Sequence, residues 1–432
     1  MHRADQNISL LGVFIWSIAA LFFLYEFFLR TFVGSIAHQI IPDLHLTIEQ
    51  FTFIGSAYYI AYGMMQIPVG ILADKFGVKN IMIFATLCCA LATFLFAHAT
   101  SFPTAFIGRF LMGFGSAFAF ISLLVIASTW FPHKYFGFFA GMSQFIGTMG
   151  PVLAGGPLVS FLNDSHVSWR LAMSEVAIFG VVLAVLAFLF IKNKPRGGEQ
   201  SLMYLTREEG LMIRLKRLLK NKQAWVVASY SGTVYVAIAV MAAVWGTEYL
   251  QTRGLTQSTA AYMISLSWIA YAIGCPLLGV ISDITKRRKP AMLIAAILGV
   301  ISTLCIVYID IQQTWIYGVL FALLGLAAAG QNVGFAAIAE HTSFSVKATA
   351  LGLNNGFITL STAILPIIIG LFISHASHGH ATSALVSSDF TLGLSFLPLM
   401  YVLATLICLF GFRETYCKPQ KNIIILKTSN QA

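Results

Sequence analysis

The chain has 432 residues, of which 58% are hydrophobic and only 10% charged, with a formal net charge of +10. A soluble protein carries about 25% charged residues, so a water-facing enzyme or binding module is excluded. The composition is that of a chain that crosses a membrane many times, with no room for a separate catalytic domain.

Crossing a bilayer takes about 20 consecutive apolar residues. Stretches of that kind predict spans over residues 10–33, 52–71, 81–99, 104–130, 136–162 and 171–191. Six more follow over 224–250, 260–281, 291–309, 315–339, 348–374 and 392–412. The fold class expected is an all-α membrane protein with twelve transmembrane helices. The first stretch is too long for a signal-peptide core and lacks a cleavage pattern, so it is read as a span. With the N-terminus in the cytoplasm, 22 of the 26 Lys and Arg fall in inner loops and tails. That is the positive-inside bias, and shifting the topology by one span destroys it. The expected setting is therefore a bacterial inner membrane, with both termini cytoplasmic. The same distribution accounts for the net charge, so no nucleic-acid partner is expected. None of the six cysteines lies in an expected outer loop, so no disulfide framework is implied.

Span one contains Tyr25-Glu26-Phe27-Phe28-Leu29-Arg30. A spacing of four residues puts Glu26 and Arg30 one helical turn apart on one face. An ionised side chain at membrane depth costs roughly 2.5–3.5 kcal/mol, so it faces protein or water and points to function. The same pair could instead serve only to pin this helix to a neighbour. In span two Tyr59, Tyr62 and Gln66 recur at helical spacing, with Tyr58 an alternative to Tyr59, and these could line a cavity with Tyr25.

One long polar interruption, 192–222, divides the chain. The expected domains are 1–191, a six-helix bundle; 192–222, a cytoplasmic linker; 223–412, a second six-helix bundle; and 413–432, a cytoplasmic tail. Within the linker, Thr206 and Glu209 form a capping-box pattern, and Leu211, Leu215, Leu218 and Leu219 share a face among basic residues. This predicts a helix lying on the inner leaflet. The halves also repeat: Gly70-Ile-Leu-Ala-Asp74 follows span two, and Gly279-Val-Ile-Ser-Asp283 follows span eight.

The stretch from Gly70 through Asp74 and Gly77 to Lys79, with its second copy from Gly279 to Lys289, resembles the signature loop of the major facilitator superfamily. The resemblance covers essentially the whole chain and implies two pseudo-symmetric six-helix bundles working by alternating access. It implies that Gly70, Asp74, Gly77, Asp283 and Arg287 belong to a gate. Lys286 stands where the second copy would have a glycine. In span four, Arg109 with Gly113 and Gly115 is similar to the family's Arg-x-x-x-Gly-x-Gly pattern. The family fold places spans one and four beside a central cavity, so Glu26, Arg30 and Arg109 are expected to share it. A structural tie of Arg109 to backbone carbonyls or to Glu26 is the alternative. In span five, Gly147, Gly150 and Pro151 before Gly155-Gly156 are similar to a bend motif found in antiporters, with one extra residue between Pro151 and the glycine pair. From the second half Gln331, Asn332, Asn354 and Asn355 are candidate ligands, beside Tyr235, Trp268 and Tyr271.

The function expected is secondary transport of a small anionic or zwitterionic metabolite (an organic acid, amino acid or short peptide), with Glu26 as the proton-coupling group. Two arginines favour carboxylate or phosphate. Span one and the tyrosine-rich span two also resemble a bacterial branch grouped with lysosomal dipeptide carriers, which implies a zwitterion. The alternative is an exporter of drugs or of a siderophore-like product. No cofactor, metal site or catalytic constellation is expected, and the chain is expected to act as a monomer.

Overall fold

The computed structural model describes residues 9–66, 68–131, 136–192, 216–342, 346–377 and 385–418, and among them every regular element is a helix. Eleven stretches are long and apolar enough to cross a membrane. They are α1 (Leu10–Ser35), α3 (Phe76–Ala97), α4 (Phe102–Ala127), α5 (Gly141–Ser165), α6 (Trp169–Phe190), α7 (Lys222–Val240), α8 (Gln257–Thr285), α9 (Arg288–Tyr308), α10 (Thr314–Glu340), α11 (Thr349–Ala376) and α12 (Ser387–Gly411). The twelfth expected span is α2 (Ile48–Met65). Its buried face carries Thr52, Ser56, Tyr58, Tyr59 and Tyr62, which explains its lower hydropathy. The twelve-helix, two-bundle arrangement is that expected.

Local chemistry sets the boundaries. Thr47 and Gln50 form a reciprocal capping box that starts α2, and Asn221 caps α7 through the amides of Gln223 and Ala224. Each satisfies backbone donors that a helix start leaves open. After α2 the helix resumes at Pro68 and is broken at Gly77, whose φ of 77° is open to glycine. The side chain of Asp74 and the surroundings of Gly70 lie outside the described residues, as does most of the expected surface helix of the linker. In the second copy Lys286 takes a left-handed conformation (φ 52°) and ends α8, so a lysine makes the turn where glycine was missing. Span seven departs from expectation in one respect. The α-helix stops at Val240, a π turn occupies Met241–Trp245, and a short helix continues over Gly246–Thr252.

Glycines let the helices approach closely. A Cβ on Gly113 would run into the Tyr58 backbone of α2, and one on Gly115 into Cys89 and the Ala85 carbonyl of α3. Gly150 likewise sits against the Leu24 carbonyl and Phe28 amide of α1. Without a hydrophobic drive between helices in lipid, such contacts supply the attraction.

Polar contacts along two helix pairs help to join the halves. Along α2 and α11, Asn355 Nδ2 donates to Gln66 Oε1 at 2.7 Å, and Ser374 donates to the Glu49 carboxylate. Along α5 and α8, the helix breaks at Gly155 after Pro151. Ser265 of α8 satisfies that break, donating to the Val152 carbonyl at 2.7 Å and accepting from the Gly156 amide at 2.9 Å. Further along, Asn163 donates to Ser258 at 3.1 Å. Replacing Gly113 by leucine is expected to destabilise the fold by about 1–3 kcal/mol through overpacking. Thermal denaturation in detergent checks this, and an unchanged melting temperature would refute the close α2–α4 approach.

Candidate functional site

Helix α1 carries Glu26 and Arg30 on the face turned to α2 and the second half. Both are buried, at 0% and 8% exposure. Arg30 Nη2 donates to both Glu26 carboxylate oxygens at 3.0 Å. The Tyr58 hydroxyl donates to Glu26 Oε2 at 2.7 Å, so the carboxylate has partners on two sides. Arg30 lies over the rings of Phe27 (4.1 Å) and Tyr62 (4.7 Å), and Tyr235 reaches it from α7. Cation–π contacts of this kind strengthen where water is excluded.

The second half closes this group with aromatic rings. Trp268 stands 6.5 Å from Phe27, 6.3 Å from Tyr235 and 5.5 Å from Tyr271. Gln331 donates to the Tyr271 hydroxyl at 2.5 Å. Several buried polar atoms here have no protein partner: Arg30 Nε, Tyr59 Oη, Trp268 Nε1 and Gln331 Oε1. Buried polar atoms are normally satisfied, so a set of orphans around one cation marks a place where a polar ligand or water completes the bonding.

Arg109 is placed differently from Arg30. It is fully buried, and its guanidinium donates to three backbone carbonyls: Leu29, Arg30 (3.2 Å) and Ile54 (3.4 Å). Arg109 therefore ties α4 to α1 and α2 immediately behind the ion pair, the alternative arrangement allowed by the sequence.

Other expected residues divide. Tyr62 is in the group, and Tyr59 contributes its unpartnered hydroxyl. Tyr25 faces backwards, its hydroxyl 3.4 Å from Thr93 and its ring against Phe179 of α6, because adjacent helical residues point about 100° apart. Gln66 and Asn355 bond each other across the seam. Asn354 is buried with both amide atoms unpartnered, whereas Asn332 is exposed and lies on a different face from Gln331.

At the end of the second half near the tail, Asp283 pairs with Arg288 at 2.7 Å and not with Arg287, which immediately precedes α9 and approaches the Tyr416 ring. Arg288 also pairs with Glu340 at 2.6 Å, and Glu414 accepts from the amides of Arg288 and Lys289. The sequence did not single out Glu340 or Glu414. Glu340 closes an apolar span and Glu414 lies in the tail, and no spacing rule links either to Asp283.

An all-helical two-bundle membrane protein with a buried ion pair at the seam of its halves is of the class that carries small molecules across bilayers. The chain belongs to the Major Facilitator Superfamily, whose family model matches residues 15–287 and 238–422. Over 370 residues it is 24% identical to the "Probable galactarate/D-glucarate transporter GarP" of Escherichia coli (strain K12), covering 78% of this chain and 82% of that protein. It is 26% identical over 262 residues to the "Hexuronate transporter" of Bacillus subtilis (strain 168), covering 60% and 61%. Among solved structures it resembles an inward-facing, unoccupied bacterial homolog of the human lysosomal transporter Spinster (TM-score 0.72, 18% identity, 95% and 97% covered). It also resembles a D-xylose-proton symporter (TM-score 0.72, 17% identity, 95% and 99% covered).

Removing Arg109 would leave three carbonyls facing an empty space in the α1–α2–α4 junction. Arg109→Ala is expected to cost about 2–4 kcal/mol of stability. Arg30→Ala should cost less, because Glu26 can take a proton and keep Tyr58. Melting temperatures of the two variants in detergent check this order, and the reverse order would refute the tie.

Proposed function

We propose that this protein is a secondary transporter of a small sugar acid across the bacterial inner membrane, working by alternating access and coupled to protons. The observation that carries the reading is Arg30, a guanidinium at the seam of the halves, held by Glu26 and ringed by unpartnered polar atoms. The names of the sugar-acid relatives narrow the anion.

In this reading Arg30 binds the substrate carboxylate once Glu26 takes up a proton and releases it. Tyr58 and Tyr62 hold the pair in place, and Arg109 fixes the backbone beneath it. Tyr59, Tyr235, Trp268 and Gln331 meet the hydroxyls of the sugar chain. Gln66 with Asn355, and the two signature stretches that contain Asp74 and Asp283, act in opening and closing. The bundles 1–191 and 223–412 rock about the bound substrate, with both termini in the cytoplasm. The second half's contributors around Arg30 are neutral, so a sugar acid with one carboxylate fits better than one with two.

The purified protein is expected to be stabilised by D-glucuronate and, more weakly, by galactarate. Ligand at 100 times its dissociation constant adds about 2.7 kcal/mol, visible as a thermal shift. The shift should vanish in Arg30→Ala. In the wild type it should shrink as pH rises, because an ionised Glu26 competes for Arg30; in Glu26→Gln it should not vary with pH. Stabilisation by hydrophobic cations alone, unchanged in Arg30→Ala, would overturn the reading in favour of drug export.

A further inference from the structure

At the end of the molecule remote from the N-terminus, the two halves line a half-open cavity of about 510 Å³. One wall is the short helix Ala37–Asp43 and the turn after it, with His38, Pro42 and His45; the other carries Glu248, Gln251 and Phe390. We propose that Glu248 is a proton-binding site which, together with His38, forms a protonation-dependent latch between the halves. This proposal does not depend on the sugar-acid reading.

Three observations support it. Glu248 Oε1 and His38 Nδ1 are both buried atoms without a hydrogen-bond partner, one from each half. Glu248 and His38 both line this cavity, so the two halves face each other across it with one titratable group each. The π turn Met241–Trp245 lies just before Glu248. A π turn inserts one residue and rotates the next part of the helix by about 100°, and such turns concentrate at functional sites.

The other charged groups nearby are already engaged. Asp43 accepts from Arg170 at 2.9 Å and from Trp169 at 3.0 Å. Arg253 donates to Tyr249 at 3.0 Å and lies 3.7 Å from Asp310. Asp389 accepts from the Val386 amide at 2.9 Å, and Glu49 accepts from Ser374. Among the described residues, His45, in the left-handed conformation, is the remaining titratable group on the cavity wall.

A carboxyl enclosed without a cation keeps its proton, because the charged form would be buried unpaired. Burial likewise pushes the His38 imidazole below its ordinary range, so it is neutral here. The closed junction therefore holds a protonated Glu248 and a neutral His38. As pH rises, Glu248 loses its proton, the anion seeks water, and the halves part at this end. Far below neutrality His38 takes up a proton and opposes closure from the other side.

The test places spin labels at Asp164→Cys and Gln312→Cys, exposed positions of the two halves near this end, in a variant without the six native cysteines. Between pH about 6.0 and about 8.5 the fraction of molecules at the longer distance is expected to rise about threefold or more. Glu248→Gln should hold the shorter distance at both values, and His45→Gln should leave the rise intact. A flat profile in the parent protein, or the same rise in Glu248→Gln, overturns the proposal. Glu248→Met replaces Glu248→Gln should the latter not fold, with the same two outcomes.

Discussion

The structure around the seam depends on one ion pair that could not exist in lipid. Glu26 and Arg30 sit in the C-terminal half of an apolar helix, where an isolated charge is costly, and their mutual contact offsets part of that cost. The remaining valences of the pair dictate the neighbours. Tyr58 must sit on α2 to donate to the second carboxylate oxygen, and aromatic faces must cover the guanidinium. For Tyr58 to be there, α2 must lie against α4 closely enough that Gly113 has no room for a side chain. The glycine of span four is thus a consequence of the charge in span one.

Arg109 extends the same chain of requirements. Its guanidinium holds the carbonyls of Leu29 and Arg30, the backbone that carries the ion pair, so the position of Arg30 does not depend on Glu26 alone. That matters for any cycle in which the pair separates. If Glu26 lets go, Arg30 remains on a backbone fixed from behind. In the proposed cycle one arginine is the exchangeable charge and the other is the foundation for it.

Much of this was legible in the sequence, for particular reasons. The spans came from hydropathy, the fold from two copies of one loop and a central linker, and the pairing of Glu26 with Arg30 from a spacing of four. Other features were not legible because they depend on which way a helix is rotated against partners far away in the chain. Tyr58 and Tyr59 are adjacent, and only packing against α1 and α4 makes Tyr58 the partner of Glu26. Asn332 and Gln331 look equivalent in sequence, yet one is exposed and the other meets Tyr271. The π turn in span seven leaves no mark in composition. The Arg288–Glu340–Glu414 cluster joins a loop, a helix end and the tail, which no local pattern connects.

In the proposed function, the asymmetry between the halves is the source of specificity. The first half brings the charges and fixes them rigidly, through Glu26, Tyr58 and three carbonyls. The second half brings Tyr235, Trp268, Tyr271 and Gln331, all neutral, with the Trp268 indole N–H and the Gln331 carbonyl oxygen still open. A ligand bound between them would be gripped by its charge on one side and read by its hydroxyls on the other. Charge alone cannot close the halves, because the second half offers no countercharge at this place. Closure around a ligand must then come from neutral hydrogen bonds and aromatic contact, each worth about 1 kcal/mol. Contacts of that size discriminate between ligands by their number and geometry, and they remain weak enough to break when the halves part.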